Sequence, residues 1–253
     1  MDTSLFYRII DGTIAEITMS DVLTIGDTAF ARCGALASVS FPVCAMISST
    51  AFANCGALAS VSFPACTSIG SYAFYSCSVL ASVNFPACTT IDDHAFGNCI
   101  ALISVSFPAC TRIDGGAFYS CFALQTVSFP ACTTIDYQAF SGCITLTSVS
   151  FPACTTISGQ AFFACYSLQT VSFPACTTIG TQAFSGCRRL ISFYLTGSTR
   201  CALSNSNAFT STPIGGYSAS AGRYGSIYVP ASLLASYKAA TNWTYFSDRF
   251  VGV

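Results

Sequence analysis

Sixteen cysteines, a single histidine and a column of aspartates are the side chains of this sequence that could do chemistry. One track of cysteines runs Cys33, Cys55, Cys77, Cys99, Cys121, Cys143, Cys165 and Cys187. A second runs Cys44, Cys66, Cys88, Cys110, Cys132, Cys154 and Cys176, and Cys201 stands outside both. Every step within a track is 22 residues. Thiols can pair, ligate zinc or attack as nucleophiles. Zinc sites are built from closely spaced Cys and His ligands. The sequence has no C-x-x-C, and its only histidine, His94, is remote from most of the tracks. Stacked neighbours would sit about 4.8 Å apart, within disulfide range. Their side chains would run parallel, however, and lack the twist of a Cβ–S–S–Cβ link. The expectation is free thiols that serve as small buried hydrophobes.

Asp92, Asp114 and Asp136 share one phase, with Asp93 and His94 beside the first. Carboxylates about 5 Å apart could serve a retaining glycosidase, and three in a row could hold calcium. The same phase carries Gly26, Ser48, Gly70, Ser158 and Gly180. All of these are preferred helix N-cap residues. The column is therefore expected to cap short helical turns, each aspartate accepting from amides two or three residues on. No metal, cofactor or catalytic residue is assigned, and a hydrolase using this column ranks third among the functional readings. No G-x-S-x-G elbow occurs. His94 is the sole candidate base, and Cys99, five residues on, lies in a core track. Phosphate-cradling glycine motifs are absent.

Elements that position these side chains are set by a period. Phe-Pro recurs from Phe41-Pro42 to Phe173-Pro174, and Ala-Phe from Ala29-Phe30 to Ala183-Phe184, both every 22 residues. Self-similarity at such a period means a solenoid. One unit reads Leu36-x-x-Val39-x-Phe41-Pro42-x-Cys44-x-x-Ile47-x-x-x-Ala51-Phe52-x-x-Cys55. Its first part is the leucine-rich repeat pattern L-x-x-L-x-L-x-x-C. Val39 and Phe41 alternate onto one face of a strand, and Pro42 ends the strand by withdrawing a donor. Phe52 and Cys55, three apart, would share the buried face of a short helical turn. The fold class is a strand-dominated α/β repeat solenoid, right-handed, with a parallel concave sheet and short helical turns on the return side.

Organisation follows from where the pattern starts and fails. Residues 1–13 are expected to form an N-terminal cap. Eight units fill 14–189, a degenerate repeat with a long loop and a last strand fills 190–229, and a helical lid closes 230–253. In the lid, Ser232 would cap a helix carrying Leu233, Leu234 and Tyr237, with Trp243 and Phe246 closing the open end. Ten rungs at about 4.8 Å give a rod of about 45–50 Å.

The period also explains the composition. Of 253 residues, 53% are hydrophobic and 8% charged, with mean hydropathy +0.62. Ordinary globular chains are roughly 25% charged. No run of 18 apolar residues exists, so no membrane-spanning helix is expected. A net charge of −1 provides no basic surface for nucleic acid.

In this combination of signatures the chain resembles the BspA-like (Treponema pallidum type) leucine-rich repeat family, as found in gut bacterial surface proteins and their phages. The resemblance covers about residues 14–195. It departs from the family in using 22 rather than 23 residues, with Cys where an aliphatic residue follows the Pro turn, which implies a tighter turn. It implies a non-enzymatic recognition or adhesion module at the cell surface, outside the cell or on a virion, with a protein or glycan partner. The alternative is a structural part of a phage tail or extracellular fibre. Residues 1–13 carry no signal-peptide pattern, which leaves synthesis without Sec export open. A monomer is expected, with end-to-end or side-by-side assembly as the alternative.

The candidate binding surface is the concave ladder Ser40, Ser62, Asn84, Ser106, Ser128, Ser150 and Ser172, uncharged and rich in hydroxyls. Binding hot spots favour Trp, Tyr and Arg. Those residues gather at the C-terminal end, as Tyr194, Arg188, Arg189, Tyr217, Arg223 and Tyr224.

Overall fold

A computed structural model describes residues 14–216 and 224–253. The expected N-terminal cap and two candidate binding residues, Tyr217 and Arg223, lie outside the described residues. The chain is a parallel β-solenoid with little helix. Each rung crosses two ladders. The front ladder takes three residues per rung, such as Ser38–Ser40, which pair in register with Ser60–Ser62. The back ladder takes two, such as Thr90–Ile91, which pair with Arg112–Ile113. Registers of 22 residues in both ladders are those of the sequence period.

Between the ladders lies one continuous core. The L-x-x-V-x-F strand turns Val39 and Phe41 inward, and Ile47 of the back strand joins them. Two columns of phenylalanines run the length of the stack. Phe74, Phe96 and Phe118 stack nearly parallel, with centroids 5.2 and 5.4 Å apart. Phe85 and Phe107 do the same in the second column at 5.5 Å. Rings of one column meet the edges of the other, as Phe96 and Phe107 do at 62°. Each rung thus covers the faces of the next, and stability accumulates by neighbour contacts along one dimension.

The helical turns expected on the return side are absent from the regular rungs, and only the irregular rung carries one, the 3-10 turn Ser206–Phe209, whose Asn207 amide donates to the Asn205 side chain at 2.9 Å. In the regular rungs the segment is a run of turns in which every second amide leaves its own rung. Thr50, Phe52 and Asn54 donate to Ser71, Ala73 and Tyr75 of the next rung at 2.7–2.9 Å. Ala51, Ala53 and Cys55 donate to carbonyls three residues back. Left-handed backbone recurs to make this alternation, at Thr50 (φ 55°) and Asn54 (φ 61°) in one rung and at Tyr72 (φ 59°) and Ser76 (φ 58°) in the next. A helix would satisfy its own amides and leave the neighbouring rung unpaired. The alternation satisfies both.

At the C-terminal end the pattern loosens. Strands Ser192–Tyr194, Ser226–Val229 and Phe250–Gly252 extend the front ladder. The last of these was not anticipated: residues 250–252 return as a parallel strand on Ser226–Val229. The segment between the last two strands holds one α-helix, Leu234–Lys238, behind the 3-10 turn Ala231–Leu233. Ser232 does not cap this helix, since Leu233 occupies the cap position without a side-chain bond. Tyr237 and Trp243 are fully buried and Phe246 nearly so, and the Trp243 and Phe246 rings pack against Phe209.

Candidate functional site

The front ladder presents Ser, Thr and Asn outward at every rung, while the residue between them faces the core. This ladder is not continuous. It falls into three sheets, broken between Ser60–Ser62 and Ser82–Asn84 and again between Thr126–Ser128 and Ser148–Ser150. At an intact junction Phe85 N–H donates to Ser106 O at 3.1 Å. The equivalent bonds from Phe63 and Phe129 are not made. Val61 and Val127, just before these seams, are half-buried where Val83 and Val105 are buried.

A groove lies over each seam. The larger is about 610 Å³ and is lined by Ser60, Val61, Ser82, Asn84, Ser106 and their neighbours up to Ser128. The smaller is about 340 Å³ and is lined by Gln125, Thr126, Val127, Ser148, Ser150 and Thr170 among others. No charged side chain lines either one. What these walls offer is hydroxyls, one carboxamide each and backbone groups that the seams leave unpaired.

Beyond the seams, before the last strand, the ladder carries aromatics. Tyr194 stacks on Tyr228 of the next strand, centroids 4.5 Å apart and planes 11° apart. Tyr228 was not singled out in the sequence, because only the strand register brings it beside Tyr194. Arg188 lies over the Tyr166 ring at 4.9 Å, and Arg249 over Tyr224 at 3.7 Å. Such placements are cation–π contacts. Arg188 and Arg189 are exposed at the corner where the return turns enter the strand, and Tyr194 is half-buried on the front face.

Comparison with known proteins places the chain in a family. The BspA type leucine rich repeat region matches residues 2–123 and 111–220 of this chain, in six copies. The chain belongs to that family. Its fold is similar to a leucine-rich repeat protein from Bacteroides ovatus ATCC 8483, at 25% identity and TM-score 0.52 over 71% of this chain and 60% of that one. The chain thus spans less than two thirds of that relative. A leucine rich cell surface protein from Faecalibacterium prausnitzii A2-165 is 21% identical, with TM-score 0.44, over 79% of this chain and 75% of that one. The T. pallidum leucine rich repeat protein is 22% identical, with TM-score 0.37, over 76% of this chain and 74% of that one. No curated protein matches in sequence.

In this BspA-type chain the aspartate column does something other than capping. Arg112 reaches both Asp114 and, at 3.0 Å, Asp136. Asp136 also accepts from the Tyr137 amide one residue on, at 2.7 Å. Asp93 accepts from Gly115 of the next rung at 2.8 Å. The expected bonds to amides two or three residues on are not made, because there is no helix to cap. Partial burial and the neighbouring Asp114 and Asp93 carboxylates hold the Asp92 carboxyl above its usual range, against the pull of Arg112. His94 stacks on Tyr72 at 5.0 Å, and Gly116 leaves the space its ring occupies. Its Nδ1 is buried without a partner, and Cys99 donates elsewhere, to Phe74 O at 3.1 Å. No Cys–His pair is assembled. Among the described residues no group of three or more His, Cys, Asp or Glu side chains is arranged to hold a metal.

The thiols are all free and buried. Each track has its own acceptor. Cys55, Cys77 and Cys99 donate to the carbonyl of a phenylalanine 25 residues earlier, at 3.0–3.2 Å. Cys66, Cys88 and Cys110 donate to the carbonyl two residues on, at 3.1–3.2 Å. Burial pushes Cys55 and Cys121 up to about 12, so neither is poised as a thiolate nucleophile.

Proposed function

We propose that this chain is a non-enzymatic recognition module that presents its front face to a protein or glycan ligand at a bacterial surface. The observation that carries the reading is the pair of uncharged grooves at the two seams of the front ladder. A ligand there meets neutral donors and acceptors, some of them backbone groups without a ladder partner. A ligand that supplies those bonds replaces water there, each bond contributing about 0.5–1.5 kcal/mol net. The Tyr194–Tyr228 pair supplies an aromatic anchor near the C-terminal end of the same face. Membership of a leucine-rich repeat family, with relatives that include a cell surface protein, agrees with this role.

Arrays of glycans and of extracellular proteins, probed with the purified chain, test the proposal. Ligands should be found that bind the natural chain and lose about tenfold or more in affinity when Asn84→Leu and Ser106→Leu fill the larger groove. Tyr194→Ala should weaken binding of ligands that reach the C-terminal end. Ligands that bind the filled-groove chain undiminished, or arrays on which nothing binds, would overturn it.

A further inference from the structure

Cys201 breaks the thiol pattern. Its Sγ lies 3.3 Å from Cys176 Sγ, in direct contact. The last back strands pair Thr178 with Ala202 and Ile179 with Leu203. In that register Cys201 sits opposite Thr177, so Cys176 and Cys201 meet on a diagonal. The diagonal removes the parallel alignment that keeps stacked thiols of the regular tracks from a disulfide geometry. Cys201 is also where the lid seats. Its N–H donates to Tyr237 Oη, and the Trp243 indole donates to its carbonyl, both at 2.8 Å.

We propose that Cys176 and Cys201 are a disulfide site, closed when the chain folds in an oxidising compartment, and that the bond ties the seat of the lid to the last regular rung. The co-reactant is a small-molecule disulfide such as oxidised glutathione. One thiolate attacks it, forming a mixed disulfide and releasing one glutathione. The second protein thiol, losing its proton, displaces the other glutathione. Two cysteines are oxidised, one glutathione disulfide is reduced to two thiols, and the new S–S bond accounts for both electrons. The contact with Cys176 and burial both hold the Cys201 thiol well above its ordinary range. Attack therefore belongs to the folding chain or to an opened lid, and the closed pair is then shielded from reductant.

The test folds the natural chain in a glutathione redox buffer, then alkylates it in denaturant without reductant. Of the 16 cysteines, 16 − 2 = 14 should take the label. Trypsin cuts after Arg188, Arg189 and Arg200, so the peptide 113–188 should travel bound to 201–223 until reduced. In the Cys201→Ala variant all 16 − 1 = 15 remaining thiols should be labelled. The oxidised natural chain should melt at a higher temperature than the reduced one, a difference that Cys201→Ala abolishes. Sixteen labelled thiols after oxidative folding, no linked peptides, or a missing pair that persists in Cys201→Ala would each overturn the proposal.

Discussion

Front and back ladders of this solenoid run through the same rungs, yet one is broken twice and the other is a single nine-stranded sheet. The back has the shorter strands, so strand length does not explain its continuity. Side chains do. Thr67, Thr89, Thr133, Thr155 and Thr177 each donate a hydroxyl hydrogen to the carbonyl one rung back, at 3.0–3.2 Å. The second thiol track braces each back strand within its own rung, as Cys110 does by donating to Arg112 O. Front hydroxyls make no equivalent bond and face solvent. The back ladder is thus fastened by its own side chains, and the front is left with hydroxyls and seams free for another molecule. Structural and ligand-facing hydroxyls look alike in the sequence. Their place in the rung separates them.

The largest break in this comparison should come from truncating the back. Ile113 is fully buried, while Val127 at the second seam is half-buried. Ile113→Ala should cost about 2–5 kcal/mol, against about 1 kcal/mol for Val127→Ala. Urea unfolding of the two variants checks the ratio. Equal losses would mean that the seams are closed in solution. A second measurement needs no substitution. Amide exchange at Phe63 and Phe129 should be about tenfold or more faster than at Phe85 and Phe107, which donate to Ser106 O and Ser128 O at 3.0–3.1 Å. The threonine bonds come next. Thr133→Val keeps the shape and removes the hydroxyl that bonds Thr111 O at 3.0 Å. It should cost about 0.5–1.5 kcal/mol, whereas Ser128→Ala on the front, losing no ladder bond, should cost less.

Much of this was legible in the sequence, because a period fixes every rung at once. Phe-Pro and Ala-Phe, in phase with the cysteines, fixed the strands, the core columns and the 22-residue register. The regular rungs replace the expected helical turns for a physical reason. Asp92 with the residues after it looks like a cap followed by an i, i+3 buried pair, and that pattern does not distinguish a helix from alternating turns. The choice is made by the next rung, whose carbonyls take every second amide. Seams were not legible, since Leu58-Ala59-Ser60-Val61-Ser62 and Leu36-Ala37-Ser38-Val39-Ser40 are the same residues. Nor was the Tyr194–Tyr228 stack, because a long stretch of sequence without the 22-residue period separates its two strands. The contact between Cys176 and Cys201 was hidden in the same way, by a register shift within the irregular rung.

The smallest effect concerns the edge of the back ladder, where a parallel register places like charges side by side. Asp92 follows Thr90–Ile91, one rung from Asp114, and Arg112 serves Asp114 and Asp136 instead of it. Its folded carboxyl is held above the usual range by partial burial, then by Asp114 and Asp93. For an acid with a raised folded value, the folded state binds the proton more tightly than the unfolded one. Stability therefore falls as pH rises through the window between the ordinary carboxylate value and the raised one. Above that window the charged Asp92 is a net cost. Asp92→Asn should then stabilise the chain at neutral pH, by about 0.5 kcal/mol after solvent screening. The gain should vanish once the pH drops below the ordinary carboxylate range, where Asp92 is protonated in both states. Melting curves of both chains at neutral and acidic pH measure it. A variant less stable at neutral pH would show that Asp92 is held by an attraction stronger than its neighbours' repulsion, and that the back ladder tolerates the column because the column helps to hold it.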